Sequence, residues 1–226
     1  MYFLPFLLVF FVFYILVLGL LFFIVQIGAI GYAFDAIGIP AQYVILLLFL
    51  SLVGSAVNIP VKTVSSEILV TRDTAVHFLG WRFRVPRMVR ENRTLIAVNL
   101  GGAVIPVGLS LYLLITHPQV IFSAGIATLI LVFAVNRMAR VIQGVGIGVP
   151  LFLPPVIAAL VAVLLTGTYA PVVAYISGTL GTLIGADLLN LRKIARSGAP
   201  VASIGGAGTF DGIFLTGIIA VLLASI

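Results

Sequence analysis

The sequence contains no cysteine and very little charge. The lack of cysteine excludes disulfides, thiolate nucleophiles and cysteine metal sites. Only 8% of the 226 residues are charged, and six of those are acidic, whereas 62% are hydrophobic. Such a chain cannot hold a large soluble domain, and its composition is typical of an integral membrane protein.

Long apolar runs take up most of the chain. A helix of about 20 residues crosses a hydrocarbon core of about 30 Å, so the length allows about seven spans. Short breaks that contain glycine and proline separate the runs, as at residues 28–40 and 167–171. The sequence therefore predicts an all-α integral membrane protein, a single membrane domain over residues 1–226. Its seven predicted helices cover residues 3–27, 41–60, 94–116, 119–136, 149–168, 170–190 and 205–226.

All twelve lysines and arginines fall in loops on one side of this predicted bundle. They are Lys62, Arg72, Arg82, Arg84, Arg87, Arg90 and Arg93, then Arg137 and Arg140, then Arg192, Lys193 and Arg196. Basic loops stay in the cytoplasm, so we expect a multi-pass protein of the cell membrane with its N-terminus inside and its C-terminus outside. The same rule accounts for the net charge of +6, and we expect no nucleic-acid partner.

The one long loop, residues 61–93, is rich in β-branched and aromatic residues. Segments 61–70 and 75–85 flank the polar residues 71–74, which predicts a cytoplasmic β-hairpin with its turn at 71–74. Two interpretations stay open for the hairpin. It packs on the membrane surface as a small lid, or its edge pairs with an extended peptide.

Two acids, Asp187 and Asp211, lie inside predicted helices, whereas Asp35 falls in a predicted outer break. A charge at the centre of a membrane helix costs roughly 2.5 to 3.5 kcal/mol, so such residues indicate function. Asp187 lies about 7.5 Å before Arg192 and Asp211 about 9 Å after Gly205, at about 1.5 Å per residue. Because the two helices are consecutive and antiparallel, we expect the carboxyl groups to face each other.

Two neighbouring carboxyl groups do not both ionise readily and are expected to share one proton. One then acts as a general base on water, and its protonated partner polarises a carbonyl group, as in aspartic proteases. The alternative without catalysis is an acid pair that supports helix association or conducts protons.

The residues around both acids resemble a known family. The run GTFDGIFL at residues 208–215 resembles the GxGD segment of presenilin, signal peptide peptidase and their archaeal homologues, and GAD at 185–187 matches the preceding helix. Phe210 stands where that family has its second glycine. The resemblance implies an intramembrane aspartyl protease, a hydrolase whose catalytic residues are Asp187 and Asp211. Its substrate would be a transmembrane or signal-peptide-like protein.

The whole chain also resembles a family of prokaryotic multi-spanning membrane proteins with GAD and GTFDG signatures. That resemblance implies no particular activity.

Several residues near the acids are candidates for substrate binding or support. The substrate-binding candidates are Gly206, Gly208, Thr209, Phe210, Pro150, Pro154 and Pro155. Missing side chains at the glycines leave room for a substrate backbone. The prolines either open a cavity at the start of the fifth helix or only kink it. The supporting candidates are Gly185, Gly212 and Asn99.

Three functions remain open from the sequence: a protease, a proton- or cation-coupled transporter, and an assembly protein. The lack of an internal repeat and the position of the acids toward one margin favour the protease. His77 and His117 are isolated, so we expect no metal and no other cofactor.

Overall fold

The computed structural model describes residues 4–64, 68–78, 81–91, 94–142, 146–191, 193, 201–206 and 212–225. Within these ranges the chain is mostly helical, with small sheets gathered beside the helix ends. The α-helices are α1 (Leu4–Ala36), α2 (Ala41–Ser55), α3 (Ile105–Thr116), α4 (Ile121–Met138), α5 (Leu153–Thr166), α6 (Ala170–Thr182) and α7 (Gly212–Ala224). The strands are β1 (Asn58–Val64), β2 (Ile68–Phe78), β3 (Trp81–Glu91), β4 (Thr94–Asn99), β5 (Arg140–Ile142), β6 (Gly146–Gly148) and β7 (Val201–Ile204).

Two of the helices include a π-helical turn. Such a turn, Leu100–Val104, leads into α3, and a second one, Leu183–Asp187, follows α6 directly. A 3₁₀ turn, Leu188–Asn190, continues the second one. Turns of this kind inside helices occur frequently at functional sites.

The predicted second and third helices are each shorter than expected, because β1 and β4 occupy part of their ranges. The second helix ends at Ser55, and residues 58–60 belong to β1. The six residues Thr94–Asn99 form a strand that pairs antiparallel with β1 and parallel with β7. The apolar, β-branched residues of this segment suit a strand as well as a membrane helix.

The first and last predicted helices also differ at their ends. The first helix continues to Ala36, so Asp35 is an exposed residue of its last turn and does not lie in a loop. The last helix begins at Gly212 and not at Gly205. Gly205 and Gly206 have φ values of 84° and 92°, which are incompatible with a right-handed helix.

The predicted hairpin is present, but its turn lies elsewhere. Strands β2 and β3 pair antiparallel from Ile68 opposite Glu91 to Phe78 opposite Trp81. The connection is therefore at residues 79–80, which lie outside the described residues, and Asp73 is in mid-strand. The expectation of a turn at 71–74 was wrong because threonine suits a strand as well as a turn.

The helices alternate in direction between two ends of the bundle. At one end, the Tyr32 hydroxyl donates to the Ser225 carbonyl oxygen at 3.2 Å, and the His117 and Tyr169 rings meet at 6.2 Å. The sheet of β1, β4 and β7 lies at the opposite end, where α2 ends and α3 and α7 begin. We call this second end the sheet end.

Small residues fill the interior, while large apolar residues cover the outside. Alanines of α4, α5 and α6 are buried, whereas Phe122 is 85% exposed and Leu164 83%. The stretches Pro118–Met138 and Leu153–Asn190 are long and apolar enough to cross a membrane. The second stretch contains α5 and α6, which pack against each other after a reversal at Gly167, where φ is 55°.

Close backbone contact joins the first π-helical turn to α2. A Cβ atom at Gly101 would overlap the Ser51 carbonyl oxygen and the Ser55 nitrogen, and would lie 2.9 Å from the Gly54 carbonyl carbon. Gly101→Ala should therefore lower the free energy of unfolding by about 1–3 kcal/mol, because backbone atoms must move to admit the methyl group. Thermal unfolding of the purified protein measures the change. Gly125→Ala is the matched control, since Gly125 faces open space on α4, and an equal loss in both variants would contradict the packing argument.

Candidate functional site

Asp187 lies at the sheet end, in the last position of the π-helical turn that follows α6. Its side chain is half-buried. The Gly205 N–H donates a hydrogen bond to Asp187 Oδ2 at 2.8 Å. The carboxyl group is thus bonded to the segment that leads from β7 toward α7.

The predicted partner of Asp187 is not part of the described structure. Asp211 lies outside the described residues, as do Gly208, Thr209 and Phe210, so the expected distance between the two carboxyl groups stays a prediction. The described neighbours on either side are Gly206, which is half-buried with positive φ, and Gly212, which begins α7. Helix α7 packs directly on α6.

Two asparagines hold the π-helical turn that carries Asp187. Asn190 Nδ2 donates to the carbonyl oxygens of Gly185 and Ala186, both at 3.0 Å, and Asn136 Nδ2 donates to Gly185 at 3.1 Å. Asn190 is buried, and the Lys193 ammonium group donates to its Oδ1 at 2.8 Å. These amides pair with carbonyl groups where the helical hydrogen-bond pattern changes, and so fix the position of Asp187.

The predicted supporting residue Gly185 allows α4 to approach this turn. A Cβ atom there would lie 2.7 Å from the Val132 carbonyl oxygen and 3.0 Å from Val135 Cβ. Any larger residue would push α4 away from the turn, so Gly185 supports the site by packing.

Asn99, the other predicted supporting residue, acts on Asp187 at one remove. Its Oδ1 accepts from the Gly102 N–H at 2.7 Å, which caps the first π-helical turn. Its Nδ2 donates to the Ser55 carbonyl oxygen at 2.7 Å and to Asn58 Oδ1 at 3.2 Å. Asn58 Oδ1 also accepts from the Ser203 hydroxyl at 2.6 Å, so these side chains join β1, β4 and β7.

Gly205 links this polar cluster to the acid. A Cβ atom at Gly205 would lie 2.6 Å from Ala103 Cβ and 2.8 Å from the Gly102 carbonyl carbon. Because φ is also positive, only glycine fits here without strain. The position of the Asp187 hydrogen-bond donor therefore depends on the turn that Asn99 caps.

The predicted prolines divide into two groups. Pro154 and Pro155 are buried in the first turn of α5, where proline suits a helix start. Pro150 is exposed and lines a cavity of about 620 Å³ with Arg137 and Arg140. The described walls of that cavity do not include Asp187, Pro154 or Pro155.

A second cavity, of about 410 Å³, lies beside the Asp187–Gly205 hydrogen bond. Its walls come from residues next to the site: Leu183 and Leu188 flank Asp187, Ile204 precedes Gly205 and Val98 precedes Asn99. The walls are almost entirely apolar, and the cavity is open on one side. Sequence reasoning missed these residues, and the only signal for them was the apolar segment that forms β4.

Comparison with curated proteins gives no match, and neither does comparison with solved structures. A protein family described as "Protein of unknown function (DUF1614)" matches residues 52–223. This range covers most of the chain and includes both Asp187 and Asp211. The chain therefore belongs to the DUF1614 family.

Proposed function

We propose that this protein is an intramembrane aspartyl protease. Asp187 and Asp211 would hydrolyse a peptide bond of a transmembrane or signal-peptide-like protein near the cytoplasmic face. The observation that carries the proposal is the 2.8 Å hydrogen bond from the Gly205 N–H to Asp187 Oδ2. It bonds one acid to the segment that reaches the other acid six residues later.

The proposal includes seven membrane spans with the sheet end in the cytoplasm. Two features of the described residues support it. Small residues at helix contacts and large apolar residues on the outside are typical of helices packed in lipid. In addition, Lys62, Arg137, Arg140 and Lys193 lie in or beside the strands and helix termini of the sheet end, as cytoplasmic basic residues should.

The chemistry follows from two carboxyl groups that share a proton. A backbone N–H donor suits an ionised carboxylate, so we assign Asp187 as the general base that takes a proton from water. Asp211 is then the protonated partner that polarises the substrate carbonyl and later protonates the leaving amine. The hydroxide oxygen forms a bond to the carbonyl carbon as the C–N bond breaks.

The open apolar cavity beside Asp187 suits the substrate. A membrane-derived peptide carries apolar side chains, and the walls formed by Val98, Leu183 and Leu188 match them. Gly205 and Gly206 have no side chains, which leaves the backbone accessible for an extended peptide.

The absence of cysteine makes the proposed topology directly testable. Gln119→Cys should react with a membrane-impermeant maleimide in intact cells, because Gln119 is exposed at the turn between α3 and α4. Thr63→Cys, which is exposed on β1, should react only after the membrane is opened. The unmodified chain is the blank. Labelling of Thr63→Cys in intact cells would contradict the orientation.

Replacement of either acid should abolish proteolysis. We expect Asp187→Asn and Asp211→Asn each to lower cleavage of co-expressed single-span substrates by about 10²- to 10⁴-fold, the usual contribution of a general acid or base. Substrate fragments on immunoblots measure the change.

Asp35→Asn is the matched control, since Asp35 is an exposed acid at the opposite end of α1. It should cleave at the wild-type rate. Cleavage that persists in both of the other variants would remove the protease proposal.

One observation favours the alternative, a proton- or cation-coupled transporter. Tyr175, Thr179 and Thr182 are buried on α6, and their hydroxyl groups have no hydrogen-bond partner among the described residues. A spacing of four and then three residues places them on one face of the helix. Asp187 follows Thr182 by five residues across a π-helical turn, one turn further along the same face. Protons could move along such a line of hydroxyls toward the acid.

Variants on this line separate the two functions. If the chain carries protons, the double variant Thr179→Val and Thr182→Val should slow proton flux into liposomes at least about tenfold, because neither valine can donate or accept a hydrogen bond. If it is a protease, the same variant should keep its cleavage rate. Ser123→Ala is the control, since Ser123 lies on α4 and away from this line. Flux unaffected by both the double variant and Asp187→Asn would exclude the transporter.

A further inference from the structure

The 620 Å³ cavity at the sheet end has a basic side and an apolar side. It lies where α4 ends, strands β5 and β6 pair and α5 begins. Arg137 and Arg140 form the basic side, and Met138, Val149 and Leu153 belong to the apolar side. The cavity does not include Asp187 among its described walls, so it is separate from the candidate active site.

The two arginines carry positive charge without an acidic partner among the described residues. The described acidic side chains, Asp35 and Asp187, lie on other elements, and no ion pair joins them to Arg137 or Arg140. The pairing of Arg140 with Gly148 sets β5 beside the residues that lead to Pro150. Both guanidinium groups are therefore available to an anion.

Arg137 is already oriented. Its guanidinium carbon lies 4.8 Å from the centre of the Phe133 ring, one helical turn earlier on α4. The N-terminal end of α5, which begins at Leu153 in the cavity wall, adds partial positive charge. The basic side thus has three sources of positive potential around one cavity.

We propose that this cavity binds the phosphate headgroup of an anionic phospholipid from the cytoplasmic leaflet. The inference rests on the membrane orientation of the proposed function but not on its catalytic pair. A lipid fits better than free phosphate because Met138, Val149 and Leu153 offer contact to acyl chains. The neighbouring Leu151 and Phe152 are 48% and 68% exposed, which extends the apolar surface.

Native mass spectrometry of the purified full-length protein tests this site. Phosphatidylglycerol should bind at least about tenfold more tightly than phosphatidylcholine with the same acyl chains, and the double variant Arg137→Gln and Arg140→Gln should lose this preference. Each basic residue near a membrane surface contributes about fivefold to about tenfold in affinity for anionic lipid. Arg137→Lys with Arg140→Lys should keep part of the preference, because the charge remains.

The matched control is the double variant Arg82→Gln and Arg84→Gln, which removes the same charge from β3. It should bind phosphatidylglycerol like the wild type. An equal loss in both double variants would overturn the specific site in favour of general surface charge, and inorganic phosphate that competes as well as the lipid would overturn the lipid assignment. Thermal unfolding in phosphatidylcholine verifies that each variant is folded, and lipid binding is measured without reference to proteolysis.

Discussion

The sheet end of this bundle depends on the pairing of backbone polar groups in a chain that has few polar side chains. Backbone amides and carbonyls buried away from water must find partners. Here α2, α3 and α6 all meet strands or π-helical turns at the same end, and each such interruption changes the helical pattern. Asn99, Asn136 and Asn190 supply amides at these positions. Three side chains therefore determine where the strands and the acid can lie.

The same pairing explains why the acid is rigidly placed although it lies close to a glycine-rich segment. Asn190 and Asn136 hold Asp187 from the side of α6, while Asn99 holds the turn against which Gly205 packs. The hydrogen bond between Gly205 and Asp187 joins these two supports. Preorganisation of this kind is what general acid–base chemistry requires, because a small displacement of a reacting group lowers the rate strongly.

Sequence reasoning predicted the elements whose signal is local. Apolar length gave the α-helices, and the β-branched residues of 61–93 gave a hairpin. It failed where distant segments decide the structure: Thr94–Asn99 is a strand because β1 and β7 pair with it. The π-helical turns were also missed, since the sequences LGGAV and LIGAD do not differ in polarity or period from a regular helix. Asp187 was identified because an acid in an apolar run is visible without any fold.

The π-helical turn after α6 finally decides which side of the helix carries the acid. In a regular helix each residue turns by about 100°, so Ala186 would continue the face of Thr182 and Asp187 would point elsewhere. The wider turn moves Asp187 into that position. The acid thereby lies on the face with Thr179, whose hydroxyl group lies beside α7 at Gly217. Because Asp211 immediately precedes α7 in the sequence, this one change of helical pitch turns Asp187 toward the helix that follows its proposed partner.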